Sequence, residues 1–347
     1  MIIQSIALRT PSRCITNDWI VQCIREKNRN RPEEVVSHYC NTVRRLLERA
    51  GAETRYFRDK EHGERGFDLL IDAIRSACSD AGLVPKTDVD LIIFCGVARG
   101  FLEPANAAFV AHTLGMTCDS FDVNEGCMSW VRSLQIAYNL LAMQTYSKIL
   151  IVNAEFNVYE NGLPGIFEIR SVDQIKYTFP ALTIGEAATA TIVSQSGKHW
   201  DFRFRSAPAL VSLCNLPLPG YEEFCQPDAR VGLNGAHQLV SFGAELSKAA
   251  TGEMIAFIRE IYQDTGPIDL WFPHVTSEAD YRAAGRRLGL EGRLFIDVFR
   301  RYGNLVSASI PAAMVLAEKQ SLLKRGSRIV LCPATAGMAF GLVEGEY

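Results

Sequence analysis

The stretch from Ser120 to Trp130 reads SFDVNEGCMSW. A short apolar strand ends at Val123, a turn with a glycine follows, and from Met128 onward apolar residues recur at helical spacing. This pattern predicts a strand, a turn and a helix, with Cys127 at the helix N-terminus. Because such a terminus stabilises negative charge, we expect the pKa of this thiol to lie below its usual value of about 8.5. Cys127 is also one of ten cysteines, so its position alone leaves the alternative of a small buried residue open.

The composition is that of an ordinary globular protein. The chain has 347 residues, 48% of them hydrophobic, and a formal net charge of −3. That charge gives no general attraction to nucleic acid, and no run of about 18 apolar residues predicts a membrane span. The cysteines are scattered without a Cys-x-x-Cys pair, so we expect no metal site. The sequence therefore predicts a reduced cytoplasmic protein that binds neither nucleic acid nor membrane.

The order of predicted elements occurs twice, which indicates a duplicated α/β unit. Asn304 occupies in the second copy the place that Cys127 has in the first. Ile92 precedes Cys127 by 35 residues, and Leu270 precedes Asn304 by 34. The strands that follow the two positions are centred 24 and 25 residues later. The predicted halves are an N-terminal one, 1–196, and a C-terminal one, 197–347.

Some segments of the repeat are less regular. In the second copy, the strand before Asn304 is expected at Leu294–Val298. Residues 161–179 and 203–235 contain Pro and Gly with little periodicity, and they predict long loops that roof or shape a pocket. Similar spacing also arises in unrelated α/β proteins, since strands and helices alternate at such intervals.

Packing of the halves about a pseudo-twofold axis would bring Cys127, His274 and Asn304 together. Singly, His274 is a histidine at a strand end and Asn304 is a turn residue. Together they suit acyl transfer, in which a thiolate carries the acyl group and two N–H donors stabilise a thioester carbonyl as it becomes an enolate. A papain-type signature and a Gly-x-Gly-x-x-Gly motif are both missing from the sequence, which disfavours a protease and a dinucleotide-binding enzyme.

Three motifs carry a family resemblance: DVNEGCMSW at 122–130, Pro273-His274, and YGNLVSASIP at 302–311. They resemble the signatures of β-ketoacyl-ACP synthase III of the thiolase superfamily, in the right order over nearly the whole chain. The resemblance implies an α/β thiolase-like fold with two duplicated βαβαβαββ halves in five α-β-α-β-α layers. It also implies a homodimer whose substrates are thioesters of coenzyme A or an acyl carrier protein, with no further cofactor.

The resemblance further implies a two-step reaction. Cys127 would take an acyl group from the donor thioester, and His274 and Asn304 would stabilise the enolate formed as a malonyl thioester loses carbon dioxide. The carbanion would attack the acyl-cysteine and give a β-ketoacyl product of fatty-acid or specialised polyketide-type metabolism. The backbone N–H groups of Cys127 and Ala334 match the family's oxyanion hole, although the glycine-rich turn of typical members is Pro-Ala-Thr here.

Donor recognition departs from the family pattern. Arg49 matches an arginine that contacts coenzyme A phosphate in typical members. Arg45 stands where a tryptophan is expected, Ser277 where an asparagine contacts pantetheine, and Ala279 where an arginine contacts the carrier protein. These departures favour a specialised enzyme over a housekeeping one.

Glu125 is an unusual neighbour for a nucleophile. Its charge would raise the pKa of the thiol, or it could act as an auxiliary base, or its carboxylate could point to solvent. Two alternative functions also stay open at this point. One is an acyltransferase of the same fold that passes the acyl group to an alcohol, an amine or a β-keto thioester. The other is a non-catalytic partner subunit of a heteromeric synthase.

Overall fold

The structure is a computed structural model, and it describes residues 1–156, 163–225, 228–262 and 266–347. Its strands are β1 Ile2–Arg9, β2 Arg13–Thr16, β3 Thr54–Phe57, β4 Leu91–Cys95, β5 Asp119–Val123, β6 Lys148–Glu155, β7 Ala187–Ser194, β8 Asp201–Ser206, β9 Cys214–Asn215, β10 Val240–Ser241, β11 Leu270–Pro273, β12 Arg328–Cys332, β13 Ala334–Thr335 and β14 Ala339–Glu346.

The α-helices are α1 Asn17–Lys27, α2 Glu33–Ala50, α3 Gly66–Asp80, α4 Pro85–Asp88, α5 Asn106–Leu114, α6 Ser129–Ala142, α7 Leu163–Ile166, α8 Val172–Thr178, α9 Tyr221–Phe224, α10 Gly243–Ile261, α11 Glu278–Leu288, α12 Asp297–Tyr302 and α13 Ser309–Lys319. Short 3₁₀ helices cover Lys60–His62, Gly126–Met128, Phe179–Thr183, Pro208–Leu213 and Val306–Ala308.

Two five-stranded sheets carry the duplication. The first has the order β1-β7-β6-β4-β5, with β4 parallel to β5 and β6 and with β7 antiparallel to its neighbours. The second has the order β11-β12-β14-β13, and β8 also pairs with β14. The parallel pair β4 and β6 corresponds to β11 and β12, and β7 corresponds to β14. The first sheet takes its strands from residues 2–194 and the second from residues 201–346.

The alternation of side chains along the strands builds five layers. Leu91 and Ile93 point into a core shared with α6, α13 and the second sheet, whereas Ile92 and Phe94 point to the opposite face, against α3 and α5. On the far side of the second sheet, Trp271 packs with α10 and the end of α11. The layer order is therefore α-β-α-β-α, which confirms the predicted fold class.

The strand expected at Leu294–Val298 does not form. Leu294 makes a single parallel bridge to Trp271, and Asp297 then begins α12. The acidic side chain of Asp297 lies in the first turn of α12, where a carboxylate is favourable next to the helix dipole. The prediction missed this early start of a helix.

The segments expected to be loops are also more ordered than predicted. Residues 161 and 162 lie outside the described part, but α7 and α8 occupy much of 163–178. The Ser171 side chain caps α8 by accepting a hydrogen bond from Gln174 N–H. Residues 203–235 contribute β8, a 3₁₀ helix, β9 and α9, and β8 is an integral strand of the second sheet.

A separate core packs against the C-terminal half from one side. It joins α1, α2 and the β2–β3 pair to Val275 and Phe299 of the C-terminal half. Thr16 caps α1 through its side chain, and Gly51 ends α2 with φ +81°. In the described part of the chain, no helix is long and apolar enough to span a membrane.

Candidate active site

The turn that carries Cys127 follows β5 directly. Gly126–Met128 form a 3₁₀ turn, here called the cysteine turn, and α6 begins at Ser129. The Ser129 hydroxyl accepts a hydrogen bond from Glu125 N–H at 2.8 Å and donates one to Gly126 C=O at 2.7 Å. These two hydrogen bonds fix the turn, so that the thiol lies at the start of a helical segment as predicted.

The expected low pKa of Cys127 is wrong. The residue as a whole is half-buried, but protein atoms surround its thiol, and this burial raises the pKa. The neighbouring Cys214 and Glu155 add smaller contributions in the same direction. Loss of solvation therefore outweighs the helix terminus, and the Cys127 thiol is neutral at rest.

His274 is held at the end of β11 through its backbone. Its N–H donates to Cys332 C=O at 3.1 Å, and its carbonyl accepts from the Tyr281 hydroxyl at 2.5 Å. The side chain is 3% exposed, and burial lowers its pKa to about 4, although the hydrogen bond to Asn304 opposes this shift. The imidazole is therefore neutral at neutral pH.

Asn304 is placed by contacts from the N-terminal half. Its N–H donates to Thr183 C=O at 2.9 Å, and its carbonyl accepts from Gly185 N–H at 3.0 Å. Its side-chain Oδ1 accepts from Val306 N–H at 2.8 Å and lies 3.1 Å from His274 Nε2. Because Oδ1 is engaged by two donors, the Nδ2–H₂ group is the one that can reach a substrate.

Two glycines allow the backbones of the two halves to approach closely, or cross, beside Asn304. A Cβ at Gly185 would overlap Tyr302 C=O, and one at Gly303 would overlap Thr183 C=O. Gly303 also has φ +70°, a conformation that residues with a side chain rarely adopt. The segment before Asn304 and the segment before β7 can therefore approach only as glycine backbones.

Strand β13 brings the predicted oxyanion donor to the cysteine turn. The Thr335 hydroxyl donates to Glu125 C=O at 2.9 Å, and a Cβ at Gly126 would overlap that hydroxyl. Gly341 N–H donates to Pro333 C=O, so the antiparallel alternation directs the Ala334 N–H away from β14. The assignment of Ala334 and Cys127 N–H as oxyanion donors stays a prediction.

Comparison with known proteins gives one consistent result. Residues 262–343 match the family model for the C-terminal part of 3-oxoacyl-[acyl-carrier-protein] synthase III. The β-ketoacyl-[acyl-carrier-protein] synthase III of Helicobacter hepaticus is 26% identical, over 98% of this chain and 95% of the relative. An acyl-CoA:acyl-CoA alkyltransferase of Xanthomonas campestris is 24% identical, over 80% of this chain and 81% of its own.

Solved structures agree on the fold. An OleA variant of Xanthomonas campestris, solved with lauric acid and lauroyl-CoA, superposes with a TM-score of 0.81 at 20% identity, over 99% of this chain and 98% of that one. The synthase III FabH of Xanthomonas oryzae superposes with a TM-score of 0.78 at 21% identity, also over 99% and 98%. The chain is a β-ketoacyl-ACP synthase III-like enzyme of the thiolase superfamily. As such it is an acyl-transferring, condensing enzyme.

In this synthase III-like enzyme, Glu125 is paired rather than free. Arg132 Nε lies 2.6 Å from Glu125 Oε2, and Arg132 Nη2 lies 3.1 Å from Oε1. The Arg132 guanidinium also stacks 3.8 Å above the Phe204 ring. The carboxylate of Glu125 therefore lies in a half-buried ion pair and does not point freely to solvent, and its role as an auxiliary base stays a prediction.

The basic residues near the expected donor entrance differ in availability. Arg49 and Arg45 are exposed at the end of α2, and neither forms an ion pair with any described residue. Arg282 and Arg300, in contrast, both bind the carboxylate of Glu278, which is 6% exposed. Arg49 therefore stays the predicted phosphate contact.

Two further residues of the site, Tyr281 and Glu155, were not predicted from the sequence. Tyr281 contacts the backbone of His274, and its own pKa is raised by burial and then by the nearby Cys332 and Cys127. Glu155, at the end of β6, is 2% exposed and accepts hydrogen bonds from Val97 N–H and Ala98 N–H, each at 3.1 Å. The only signal for Glu155 was a charged residue closing an apolar strand. Among the described residues, no three His, Cys, Asp or Glu side chains are grouped as a metal site.

Proposed function

We propose that the protein is an acyl-thioester condensing enzyme that performs a decarboxylative Claisen condensation. The observation that carries the proposal is the pairing of a neutral, buried His274 with an Asn304 whose Nδ2–H₂ group has no hydrogen-bond partner among the described residues. The asparagine lies on a segment that leads into a turn in contact with the turn of the buried Cys127 thiol. Two neutral N–H donors stabilise an oxygen on which negative charge develops. The relatives named above are acyl-transferring enzymes, which supports the same reaction class.

In the first half-reaction the acyl group moves to Cys127. The sulfur attacks the carbonyl of an acyl thioester, a new C–S bond forms, and the C–S bond to the donor breaks. The proton lost by Cys127 ends on the departing thiol. Because burial raises the pKa of Cys127, this proton transfer is coupled to the attack and does not precede it.

In the second half-reaction a malonyl thioester loses carbon dioxide. The electron pair of the broken C–C bond becomes an enolate whose oxygen accepts from Asn304 Nδ2–H and from His274 Nε2–H, which turns from Asn304 Oδ1 to the substrate. The enolate carbon then attacks the acyl carbonyl on Cys127, a C–C bond forms, and the acyl C–S bond breaks. Cys127 leaves as a thiolate and takes up a proton. The N–H groups of Cys127 and Ala334 stabilise the tetrahedral oxyanion in this proposal.

The substrates and the assembly belong to the same proposal. The donor is an acyl-CoA or an acyl carrier thioester, and Arg49 contacts its phosphate. The product belongs to fatty-acid or polyketide-type metabolism in the cytoplasm, and the enzyme uses no cofactor beyond these thioesters. We also propose a homodimer, because β5 is an edge strand and the nearby Phe101 and Leu102 are 47% and 81% exposed.

A second candidate is condensation or transfer without a malonyl thioester. The likeness to an acyl-CoA:acyl-CoA alkyltransferase favours it. The acceptor would then be a second acyl thioester, or an alcohol, amine or β-keto thioester. The chain retains Cys127, His274 and Asn304, and His274 contacts Asn304 directly. This retention disfavours a non-catalytic subunit.

The experiment that tests the proposal has two stages. The protein is incubated with acyl-CoA and acyl-carrier thioesters, and its intact mass is measured, with Cys127→Ala as the control. The acylated enzyme is then mixed with malonyl-CoA or a malonyl carrier thioester, and carbon dioxide and product are measured. A single adduct that the variant lacks, followed by carbon dioxide release, supports the proposal. An adduct without carbon dioxide from any malonyl thioester favours the second candidate, and no adduct at all favours the partner subunit.

A further inference from the structure

The turn that follows Asn304 has a strained backbone. Val306 has φ +54°, in the left-handed region that β-branched residues almost never adopt. At the same residue, Val306 N–H donates to Asn304 Oδ1 at 2.8 Å, and this hydrogen bond fixes the direction of the Asn304 amide. A strained backbone persists only where its surroundings determine it, and such positions cluster at functional sites. The residues 304–307 are called the asparagine turn below.

Glu155 fixes the far end of the asparagine turn. Both donors of Ser307 are directed at Glu155 Oε1: the backbone N–H at 3.4 Å, and the hydroxyl in a short hydrogen bond. Asn153 Nδ2–H donates to the Ser307 oxygen at 2.8 Å, which leaves the hydroxyl hydrogen for Glu155. Strand β6 of the N-terminal half therefore clamps a turn of the C-terminal half.

The other hydrogen-bond partners of the Glu155 carboxylate are also donors, namely Val97 N–H and Ala98 N–H. A Cβ at Gly96 would overlap the carboxylate. A carboxylate accepts from all four donors, whereas a glutamine must turn its NH₂ group toward either Ser307 and Val97 or Ala98. Burial raises the pKa of the Glu155 carboxyl and is the larger effect, whereas these four donors lower that pKa and favour the ionised glutamate.

We propose that Glu155 is a positioning residue for enolate stabilisation: through Ser307 it keeps the asparagine turn in its strained form, so that Asn304 Nδ2–H points at the substrate oxygen. This inference rests on the proposed function, because it assigns Glu155 to the second half-reaction. It does not assign Glu155 any contact with the acyl group or with the reacting atoms.

The first test separates the two half-reactions. We expect Glu155→Gln and Ser307→Ala to slow carbon dioxide release roughly 10- to 100-fold, because small displacements of a positioned group have effects of that order. Acylation of Cys127, followed by intact mass, should change less than about threefold. Because both changes act through one contact, the double variant should be little slower than the slower single variant. Equal slowing of both half-reactions, or multiplicative effects, would overturn the proposal.

Matched variants separate positioning from a general loss of stability. Ser5→Ala removes another buried serine hydroxyl, which donates to Ala77 C=O at 2.7 Å far from the asparagine turn in sequence. We expect it to lower the melting temperature without changing the ratio of the half-reactions. Val306→Gly removes the cost of the positive φ, and in the Ser307→Ala background it should recover part of the lost rate. No recovery would show that backbone strain is not what Glu155 offsets.

Hydrogen exchange keeps this inference distinct from the proposed function. The amides of Val306 and Ser307 should exchange faster in Glu155→Gln than in the wild type, whether or not any malonyl thioester is a substrate. If wild-type protein releases no carbon dioxide while this difference is seen, the proposed reaction fails and the clamp stands. If exchange at 304–307 is unchanged, the clamp itself is refuted.

Discussion

At the scale of single residues, desolvation decides the protonation states of the site. It raises the pKa of Cys127 and lowers that of His274 to about 4, so both groups are neutral at rest. Neither state follows from the sequence, because burial depends on which distant segments cover a side chain. The motifs predicted that His274 and Asn304 lie together, as they do, and the fold determines the protonation states of the site.

The low pKa of His274 should appear in the pH dependence of stability. An unfolded histidine, with a pKa near 6.5, takes up a proton as pH falls, while the buried one stays neutral down to about pH 4. The unfolded state then binds more protons than the folded state, so the free energy of unfolding decreases as pH decreases through this window. Between pH 7.5 and 5.0 we expect His274 to account for a loss of about 2 kcal/mol. Urea unfolding of wild type and His274→Gln at both values measures it, and an equal pH dependence of the two proteins would contradict it.

Glu125 gives a second prediction at this scale. Its ion pair with Arg132 is about 29% exposed, and such pairs typically contribute about 0.2–1 kcal/mol. Glu125→Gln should therefore lower stability slightly and change each half-reaction less than about fivefold, which is the effect of losing a pair and not a base. Arg132→Gln is the matched control, since it breaks the same pair from the other side. A loss of turnover of roughly 100-fold or more in Glu125→Gln alone would restore the hypothesis of an auxiliary base.

At the scale of elements, local pattern predicted what local sequence determines. The apolar runs of β4 and β6 and the turn and helix around Cys127 form as expected, because each is set by neighbouring residues. The strand expected at Leu294–Val298 became a single bridge and α12, since Asp297 is favourable in the first turn of a helix and a short apolar pattern alone does not specify a strand. The role of Glu155 could not be predicted from local sequence, because its partners Ser307 and Ala98 lie far from it in the chain.

The close approach of the segment before Asn304 to the segment before β7 gives a prediction at the scale of elements. Gly185→Ala forces a Cβ into Tyr302 C=O, so the segment before β7 must separate from the one before Asn304. We expect the variant to lose at least about 3 kcal/mol of stability, or to lose Asn304 function if it folds. Gly197→Ala is the control, because a Cβ there meets open space at an ordinary φ. Thermal unfolding and carbon dioxide release measure the two effects, and a Gly185→Ala variant that matches the control would refute the crossing.

At the scale of the whole molecule, the duplication explains why the site lies where the halves meet. The cysteine turn comes from one half and the asparagine turn from the other, and the buried layer of α6 and α13 lies between their sheets. The repeat was readable from spacing because it follows chain order. The cross-half contacts were not, because Thr183, Gly185 and Glu155 act on the second half from within the first.

The edge of the first sheet gives the last prediction, which concerns assembly. Strand β5 has one described neighbour, β4, and its residues are exposed or half-buried, although it leads directly into the cysteine turn. An open edge of this kind, with Phe101 and Leu102 exposed, is a surface on which a second copy can pair and bury apolar side chains. Light scattering should give twice the chain mass of 38.5 kDa. Leu102→Glu should shift the protein toward one chain mass, because a carboxylate would be buried at the contact. Leu322→Glu, at another exposed leucine, should leave the mass unchanged, and a wild-type monomer would refute the dimer.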